Sequence, residues 1–262
     1  MNQGERDELI AIMTMLFLKG QGKGFTGVAC VHSVGNRVRV YRDWDPRLGS
    51  PQQLRDLSDE QLAAVARSLG ISKAGSGQKA DVFINEVGYS LKSHRSAPPA
   101  IVNHTTRPGW EFACSHSRTS ITWLDGAVAS YWVLREQGTI REDVANDDPN
   151  SPFAPLMEEL SPVLSYFLFR GTGTRLSGAP AAKVLDVAEP TDPKTWSVLS
   201  PESVVSQVWE RLVFSIRSKK GMPVGYPNMR PAEAAKKRSI ERWTRYWQSE
   251  YRGALHVRVR QS

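Results

Sequence analysis

The sequence predicts a globular protein of mixed α and β structure, on three observations. Apolar residues recur at helical spacing in some segments, such as residues 5–18. Short β-branched and aromatic runs, such as residues 82–84, alternate with these segments. A chain of 262 residues with ordinary composition can bury one large core or two modest ones. We therefore expect one compact unit over residues 1–262, with an N-terminal part at about 1–140 and a basic C-terminal part at about 155–262.

Helices are predicted where apolar residues recur every three or four positions. Residues 5–18 carry charge only near their start, so this helix is expected to be largely buried. Ser58 and Gln61 form a capping-box pattern at the start of the next helix, which Gly70 ends. The predicted helices cover residues 5–18, 59–69, 120–137, 156–169, 202–211 and 231–250.

Strands are predicted where β-branched and aromatic residues form short runs. Gly35 and Asn36 separate two such runs and predict a hairpin of residues 28–32 and 37–41. Residues 93–110 and 143–155 are polar and contain several prolines, so we expect loops there. The other predicted strands cover residues 82–84, 89–92, 183–187, 212–218 and 255–259.

Positive charge is concentrated near the C-terminus. The formal charge of the chain is +7. Residues 217–260 contain twelve Lys or Arg against three acids, and the rest of the chain is slightly negative. Such a region suits a polyanionic partner, because neutralising phosphates releases condensed counterions. The alternative is a solvated basic helix without a partner.

Several classes of protein are excluded by composition. No apolar run approaches the length needed to span a bilayer, and the N-terminus lacks the basic-then-apolar order of a secretory signal. Cys30 and Cys114 are too few for a disulfide framework or a cysteine-rich zinc module. We therefore expect a cytoplasmic protein with no membrane partner.

The most informative pattern lies at residues 79–95, KADVFINEVGYSLKSHR, where an aspartate opens one apolar run and a lysine closes the next. The turn-forming residues 85–88 between the runs predict a hairpin. Side chains alternate along a strand, so Ser90 and Lys92 share one face, and pairing across the turn brings Asp81 alongside them. The sequence therefore predicts an acid and an amine at one edge of a sheet.

An acid beside an amine suits metal-dependent phosphodiester hydrolysis. This chemistry needs a hard oxygen ligand for a divalent cation and a cationic group that orients water or meets developing phosphate charge. Asp81 is the candidate ligand, the backbone carbonyl of Leu91 is a second one, and Lys92 is the cationic group. The alternative is an ordinary half-exposed hairpin with charged ends, because an aspartate and a lysine at this spacing also occur by chance.

At these residues the sequence resembles the type II restriction endonucleases of the PD-(D/E)xK nuclease superfamily. In the family pattern an aspartate starts one strand and an acid-x-lysine triplet lies on the next, and Asp81 and Lys92 take the first and last of these roles. Ala80 replaces the usual proline, and Ser90 stands where the second acid is expected. The resemblance implies a mixed central β-sheet flanked by helices, a restriction-endonuclease-like core with C-terminal DNA-contacting elements, and Mg²⁺ as the cofactor.

The serine at position 90 implies that an acid from elsewhere supplies the missing carboxylate. A few restriction enzymes similarly have serine there and recruit an acid from a neighbouring helix. The candidates are Glu111, Glu86, Glu60 and Glu8. The implied catalytic residues are Asp81, Ser90, Lys92 and Glu111, with Asp81 and the Leu91 carbonyl as metal ligands.

Two groups of polar residues are candidates for contacts with DNA. The segment after Lys92 contains side chains that hydrogen-bond base edges or phosphates, and its first residues also resemble a stretch that some restriction enzymes use for base recognition. Basic residues near the C-terminus are candidates for phosphate contacts. The first group comprises His94, Arg95, Asn103, His104 and Arg107, and the second comprises Lys236, Lys237, Arg242, Arg258 and Arg260.

Together with the resemblance, these residues predict a Mg²⁺-dependent type II restriction enzyme that cleaves double-stranded DNA at a specific sequence. A homodimer is a candidate assembly, and a cognate DNA methyltransferase is expected to be encoded nearby. Two alternatives stay open: a structure-selective nuclease of the same superfamily, such as a junction resolvase, and a non-catalytic basic protein that binds nucleic acid.

Overall fold

A computed structural model gives the chain a mixed α/β fold, so the predicted fold class is confirmed at this level. The structure describes residues 1–72, 74–75, 77–93, 95, 100–218, 242–248 and 250–260. The helices are α1 (Gln3–Gly20), α2 (Asp59–Ser68), α3 (Arg107–His116), α4 (Thr122–Glu136), α5 (Met157–Phe169) and α6 (Pro201–Val208). The strands are β1 (Val34–Gly35), β2 (Val82–Ile84), β3 (Val87–Ser93), β4 (Ala100–Thr106), β5 (Val144–Ala145), β6 (Lys183–Val187), β7 (Trp196–Leu199), β8 (Leu212–Arg217), β9 (Arg245–Trp247), β10 (Glu250–Arg252) and β11 (Ala254–Val259).

The contacts within the chain form two compact units, each built from two separate stretches of sequence. Residues 1–97 and 177–204 form the first unit, and residues 98–176 and 205–262 form the second. The boundary expected between residues 140 and 155 therefore falls inside the second unit. That the whole chain acts as one nuclease unit stays a prediction.

The first unit contains a mixed five-stranded sheet with the strand order β1-β2-β3-β6-β7. The first three strands form an antiparallel meander, β6 runs parallel to β3, and β7 is antiparallel to β6. A parallel pair needs a long connection, and here the connection between β3 and β6 contains residues 98–176 of the second unit. The sheet is therefore mixed, as the resemblance implied.

Helix α1 covers one face of this sheet. It begins at Gln3 because the side chain of Asn2 accepts a hydrogen bond from the Glu5 backbone, and Glu5 bonds back to Asn2 in a capping box. Met13 and Leu16 of α1 are fully buried in one core with Leu91 of β3. The face of β3 that carries Leu91 is thus the core face, and the neighbouring residues point the other way.

The second unit contains a four-stranded antiparallel sheet with the order β4-β11-β8-β5. Its core is rich in aromatic side chains, and Trp110, Trp132 and Trp243 are among the largest fully buried ones. On β11, Leu255 and Val257 face this core, as the alternating pattern at residues 255–259 predicted. Among the described residues, no helix combines the length and apolar character needed to cross a bilayer.

The hairpin predicted at residues 28–32 and 37–41 forms only around its turn, where the Asn36 N–H donates to the Arg39 carbonyl at 2.9 Å and the Tyr41 N–H donates to the Val34 carbonyl at 2.8 Å. Val38 and Val40 are 86% and 62% exposed, and only a single bridge joins Gly35 to Val40. The segment is instead tied to β2: Val34 pairs with Ile84 in an antiparallel ladder. The turn therefore forms where Gly35 and Asn36 predicted it, whereas the long strands predicted on either side of it do not.

The loop predicted at residues 93–110 is also wrong over most of its length. Residues 100–106 form β4, which pairs with β11 near the other end of the sequence, and Arg107 begins α3. Because β4 carries polar side chains and pairs with a strand that is remote in sequence, the local sequence pattern did not indicate it.

The helix predicted at residues 231–250 is wrong in its described part. Residues 231–241 and Ser249 lie outside the described residues. Residues 242–244 form a turn, and β9 and β10 then pair as a short antiparallel ladder, with Gln248 at a positive φ of 49° between them. Trp243 is fully buried in the core of the second unit.

Candidate functional site

The hairpin of β2 and β3 brings Asp81 and Ser90 together. Val82 pairs with Tyr89, and the two turn residues Asn85 and Glu86 both have positive φ, 49° and 68°. This is the tight hairpin geometry whose backbone twist matches that of the strands it joins. Extending the register by one residue places Asp81 opposite Ser90.

The Asp81 carboxylate closes the end of the hairpin. Its Oδ2 accepts a hydrogen bond from the Leu91 backbone N–H at 2.8 Å and one from Ser90 Oγ at 3.2 Å. Asp81 lies just before the start of β2, so its side chain accepts the hydrogen bond of the Leu91 N–H in place of a backbone carbonyl. Among the described residues, the other oxygen, Oδ1, accepts no hydrogen bond. Asp81 is therefore held in one orientation with an oxygen left for a ligand.

The carbonyl of Leu91 points to the same edge. The Asp81 N–H donates to the Tyr89 carbonyl at 2.8 Å, and the Ala182 N–H donates to the Gly88 carbonyl at 2.8 Å. The backbone N–H and C=O groups of successive β3 residues thus point alternately toward β2 and toward β6. Leu91 lies two residues after Tyr89 and faces the β2 side, where its N–H meets Asp81. Its carbonyl, which points the same way as its N–H, is directed to the edge occupied by Asp81.

Two lysines lie near this edge. Lys92 is half-buried on the same face as Ser90, in register with Asp186 of β6, and within the described part of the chain it forms no ion pair. Lys79, also half-buried, was not among the predicted residues. Burial lowers the pKa of Lys79, the positive charge of Lys92 lowers it further, and Asp81 opposes both effects. Lys79 precedes Asp81 by two positions, so the alternation of a strand could have indicated it.

A cavity of about 490 Å³ adjoins Asp81. Leu9 and Ile12 of α1 give it an apolar wall, and Glu5 and Glu8 of the same helix add carboxylates to its lining. Because Glu8 and Asp81 line one cavity, the neighbouring helix offers an acid at the predicted site.

The four acids considered for the missing carboxylate have different surroundings. Glu86 is exposed in the hairpin turn, and exposed Glu60 accepts a hydrogen bond from Ser58 Oγ at 3.1 Å. Glu111 lies in the second unit, where it pairs with Arg107 at 3.2 Å. Among the four, Glu8 alone lines the described cavity beside Asp81, and the catalytic role of Glu111 stays a prediction.

The donor atoms at this edge fit magnesium. They are carboxylate oxygens of Asp81 and Glu8 and the Leu91 carbonyl, all hard oxygen ligands. Over the described ranges, no group of three or more His, Cys, Asp or Glu side chains is placed to hold a metal ion. Magnesium commonly uses only one or two carboxylates and keeps several waters, whereas structural zinc takes four nitrogen or sulfur ligands. The set therefore suits Mg²⁺ and does not suit zinc.

His94 and Arg95, just after β3, were both predicted to contact DNA, and the structure describes Arg95. Arg95 is 42% exposed and binds the fully buried Asp7 through Nε at 3.0 Å and Nη2 at 2.5 Å. Asp7 was not considered from the sequence, because a charged residue in an apolar helix pattern gives no sign of its partner. His94 lies outside the described residues.

The second unit places two of the predicted contacts on the surface and buries another. Asn103 and His104 are exposed on β4, and the ring of His104 stacks on that of His256 at 5.2 Å. Arg107 is buried, and both its Nε and its Nη2 lie 2.8 Å from Asp125. The structure therefore gives Arg107 an internal role and leaves Asn103 and His104 accessible.

Burial also changes the protonation of His256. The pKa of His256 falls to about 4 because of desolvation, with further lowering by Arg217, His104 and Arg258, while Asp143 opposes the change. Its Nδ1 is buried without a hydrogen-bond partner among the described residues. A neutral imidazole therefore occupies the polar face of the second sheet.

The basic C-terminal segment is compensated wherever it is described. Six of its twelve Lys and Arg residues, including Lys236 and Lys237, lie outside the described residues. The other six each form an ion pair with an acid of the second unit. These pairs are Arg217 and Arg258 with Asp143, Arg242 with Asp125, Arg245 with Glu136, Arg252 with Glu142 and Arg260 with Asp147. The described arginines thus present less net charge than the sequence suggested.

No family model, curated protein or solved structure matches this chain. Functional conclusions therefore rest on its own residues and their geometry.

Proposed function

We propose that this chain is a Mg²⁺-dependent DNA endonuclease, and more narrowly a type II restriction enzyme. The observation that carries the proposal is the shared edge of the first sheet. There Asp81 keeps one carboxylate oxygen free of hydrogen bonds within the described structure, the Leu91 carbonyl points to the same edge, and Lys92 lies on the same face as Asp81. This arrangement corresponds to the resemblance found at residues 79–95.

Asp81 and the Leu91 carbonyl would hold the metal, with Glu8 as the added carboxylate from α1. Bound there, Mg²⁺ would polarise a phosphate oxygen and make a bound water more acidic. Ser90 keeps the Asp81 carboxylate oriented through its hydroxyl. Ser90 thus supports Asp81, and Glu8 would supply the second carboxylate.

The two lysines supply positive charge beside the carboxylates. Lys92 would orient the attacking water and meet the negative charge that develops on the phosphoryl oxygens. Lys79, close enough to Asp81 and Lys92 for their charges to affect its pKa, adds a second cation to the same region. A phosphodiester approaching Asp81 and Glu8 needs such cations, because carboxylates alone would repel it.

Double-stranded DNA is the proposed substrate because of the net positive charge and the polar residues of the second unit. Asn103 and His104 are exposed there and suit contacts with base edges. Lys236 and Lys237, which lie outside the described residues, are the proposed phosphate contacts, because they belong to the basic segment of the sequence. We also propose that the chain acts as a homodimer and that a cognate DNA methyltransferase is encoded nearby.

Incubation with plasmid and phage DNA tests this function. With Mg²⁺, a restriction enzyme gives discrete bands, whose ends define the recognition site when sequenced, and EDTA abolishes them. Preference for branched DNA would instead indicate a structure-selective nuclease. A salt-sensitive mobility shift without cleavage under any Mg²⁺ or Mn²⁺ condition would contradict the proposal and leave a nucleic-acid-binding protein.

A further inference from the structure

Asp7 carries a buried carboxylate that the proposed chemistry does not use. It is 0% exposed, and its two oxygens accept four hydrogen bonds. Oδ2 accepts from Ser93 Oγ at 2.6 Å and Arg95 Nε at 3.0 Å, and Oδ1 accepts from Arg95 Nη2 at 2.5 Å and Gln3 Nε2 at 2.8 Å. These donors compensate the buried charge. Asp7 thereby ties α1 to the end of β3.

Each end of this contact is one residue away from the proposed site. Glu8 follows Asp7 on α1, and Lys92 precedes Ser93 on β3. Adjacent residues of a helix or a strand move together, so a shift of Ser93 along α1 would carry Lys92 with it. The hydrogen bond between Asp7 and Ser93 therefore sets how the helix bearing Glu8 is aligned with the strand bearing Lys92.

Attachment of the helix to the sheet does not explain this network. Met13 and Leu16 of α1 already share a fully buried core with Leu91 of β3. Apolar contacts are non-directional, whereas charged hydrogen bonds accept only a narrow range of positions. Replacing a buried ion pair with apolar residues often stabilises a protein, and alignment of elements is the best-supported reason to keep one. Misplacing reacting groups by about 1 Å can cost about a hundredfold in rate.

We infer that Asp7 is a positioning residue of the site: through Ser93 and Arg95 it holds Lys92 in a fixed place relative to Glu8 and Asp81. The inference rests on the proposed function, because it concerns the geometry of that same site. It also gives Arg95 a structural task, and its contact with DNA stays a prediction.

The test compares Asp7→Asn and Ser93→Ala with the wild type in the full-length protein. Single-turnover cleavage is measured against Mg²⁺ concentration, DNA affinity is measured in Ca²⁺, and folding is followed by thermal unfolding. We expect the maximal rate to fall about tenfold or more and half-saturation to need several times more Mg²⁺, with DNA affinity unchanged. The double variant is expected to be no worse than the poorer single one, because both changes break one contact.

Asp43→Asn is the matched control, because it weakens another ion pair of α1, with Lys19 at 2.7 Å, that does not reach β3. Its Mg²⁺ dependence is expected to stay at the wild-type value. If Asp7→Asn does not fold, Ser93→Ala decides, since it leaves the ion pair between Asp7 and Arg95 in place. Wild-type Mg²⁺ dependence in folded Ser93→Ala overturns the positioning role alone. Absence of cleavage by the wild type overturns the proposed function instead.

Discussion

Ser90 occupies the position at which the family pattern has an acid, and its hydroxyl donates to Asp81 at 3.2 Å. A serine there can orient the first carboxylate but cannot replace the second. Glu8 lines the cavity beside Asp81 from α1, so in the proposed site the second acid lies on a different element from Ser90. The residue types at positions 81, 90 and 92 were readable from the sequence, which also named Glu8 among four candidate acids, but the preference for Glu8 needed the fold.

Glu8→Gln is expected to raise the Mg²⁺ concentration needed for half-maximal cleavage about tenfold, because it removes a charged oxygen ligand while keeping the side-chain volume. Mg²⁺ titration of the cleavage rate measures the effect. Glu111→Gln is the control, since Glu111 lies in the second unit and pairs with Arg107. A shift in Glu111→Gln and none in Glu8→Gln would reverse the assignment.

Burial of His256 is expected to make the free energy of unfolding depend on pH. Its pKa is about 4 in the folded chain and about 6.5 when unfolded, so between these values the unfolded state binds more protons and stability falls as pH falls. The loss between pH 7.5 and pH 5 is expected to reach about 2 kcal/mol.

Urea unfolding of the wild type and His256→Gln at both pH values measures this pH-dependent loss of stability. The variant is expected to lose about 2 kcal/mol less than the wild type over the same interval. His32→Gln serves as the control, because His32 is exposed. Equal losses in wild type and His256→Gln would contradict the burial argument.

At the scale of elements, local signals were enough where an element is specified by its own residues. The capping box at Ser58 fixed the start of α2, and β2, β3 and β6 appear where their β-branched runs predicted. The errors share one physical cause: β1 and β4 exist because of partners remote in sequence, Ile84 in β2 and Val257 in β11. Pairing across such distances overrides local propensity, so neither strand was visible in the sequence.

A substitution in the turn between β2 and β3 is expected to stabilise the protein. Glu86 has a φ of 68°, which costs a residue with a side chain about 1 kcal/mol and costs glycine little. Glu86→Gly would complete the Asn-Gly turn and is expected to raise the free energy of unfolding by about 0.5–1 kcal/mol, with cleavage unchanged. Denaturant unfolding measures it. Glu60→Gly, in helix α2, is the control and is expected to lower stability.

At the scale of the whole molecule, the two units and their charges were the least predictable features. Each unit joins two stretches that are distant in sequence, so no composition change marks the boundary. The positive charge of the C-terminal segment was correctly counted, but its compensation was not foreseen. Asp143 and Asp147 lie in a region predicted as a loop, and they pair with Arg258 of β11 and with Arg260 just after it.

Asp143→Asn tests this compensation. The change frees Arg217 and Arg258, which both bind the Asp143 carboxylate, so DNA binding is expected to tighten and its logarithmic salt dependence to steepen by about one. Fluorescence anisotropy over a salt series measures both. Asp45→Asn is the control for net charge, since it frees Arg47 in the first unit. Identical behaviour of the two variants would contradict a DNA surface at Asp143.

The central claim is that Asp81 and Lys92 act on one phosphodiester at the edge of the first sheet. Its most direct measurement is single-turnover cleavage of DNA with Mg²⁺ by Asp81→Asn and Lys92→Ala, alongside DNA binding in Ca²⁺. The predicted result is a loss of about a thousandfold or more in rate for each variant, with unchanged affinity. Cleavage at the wild-type rate by either variant would contradict the claim.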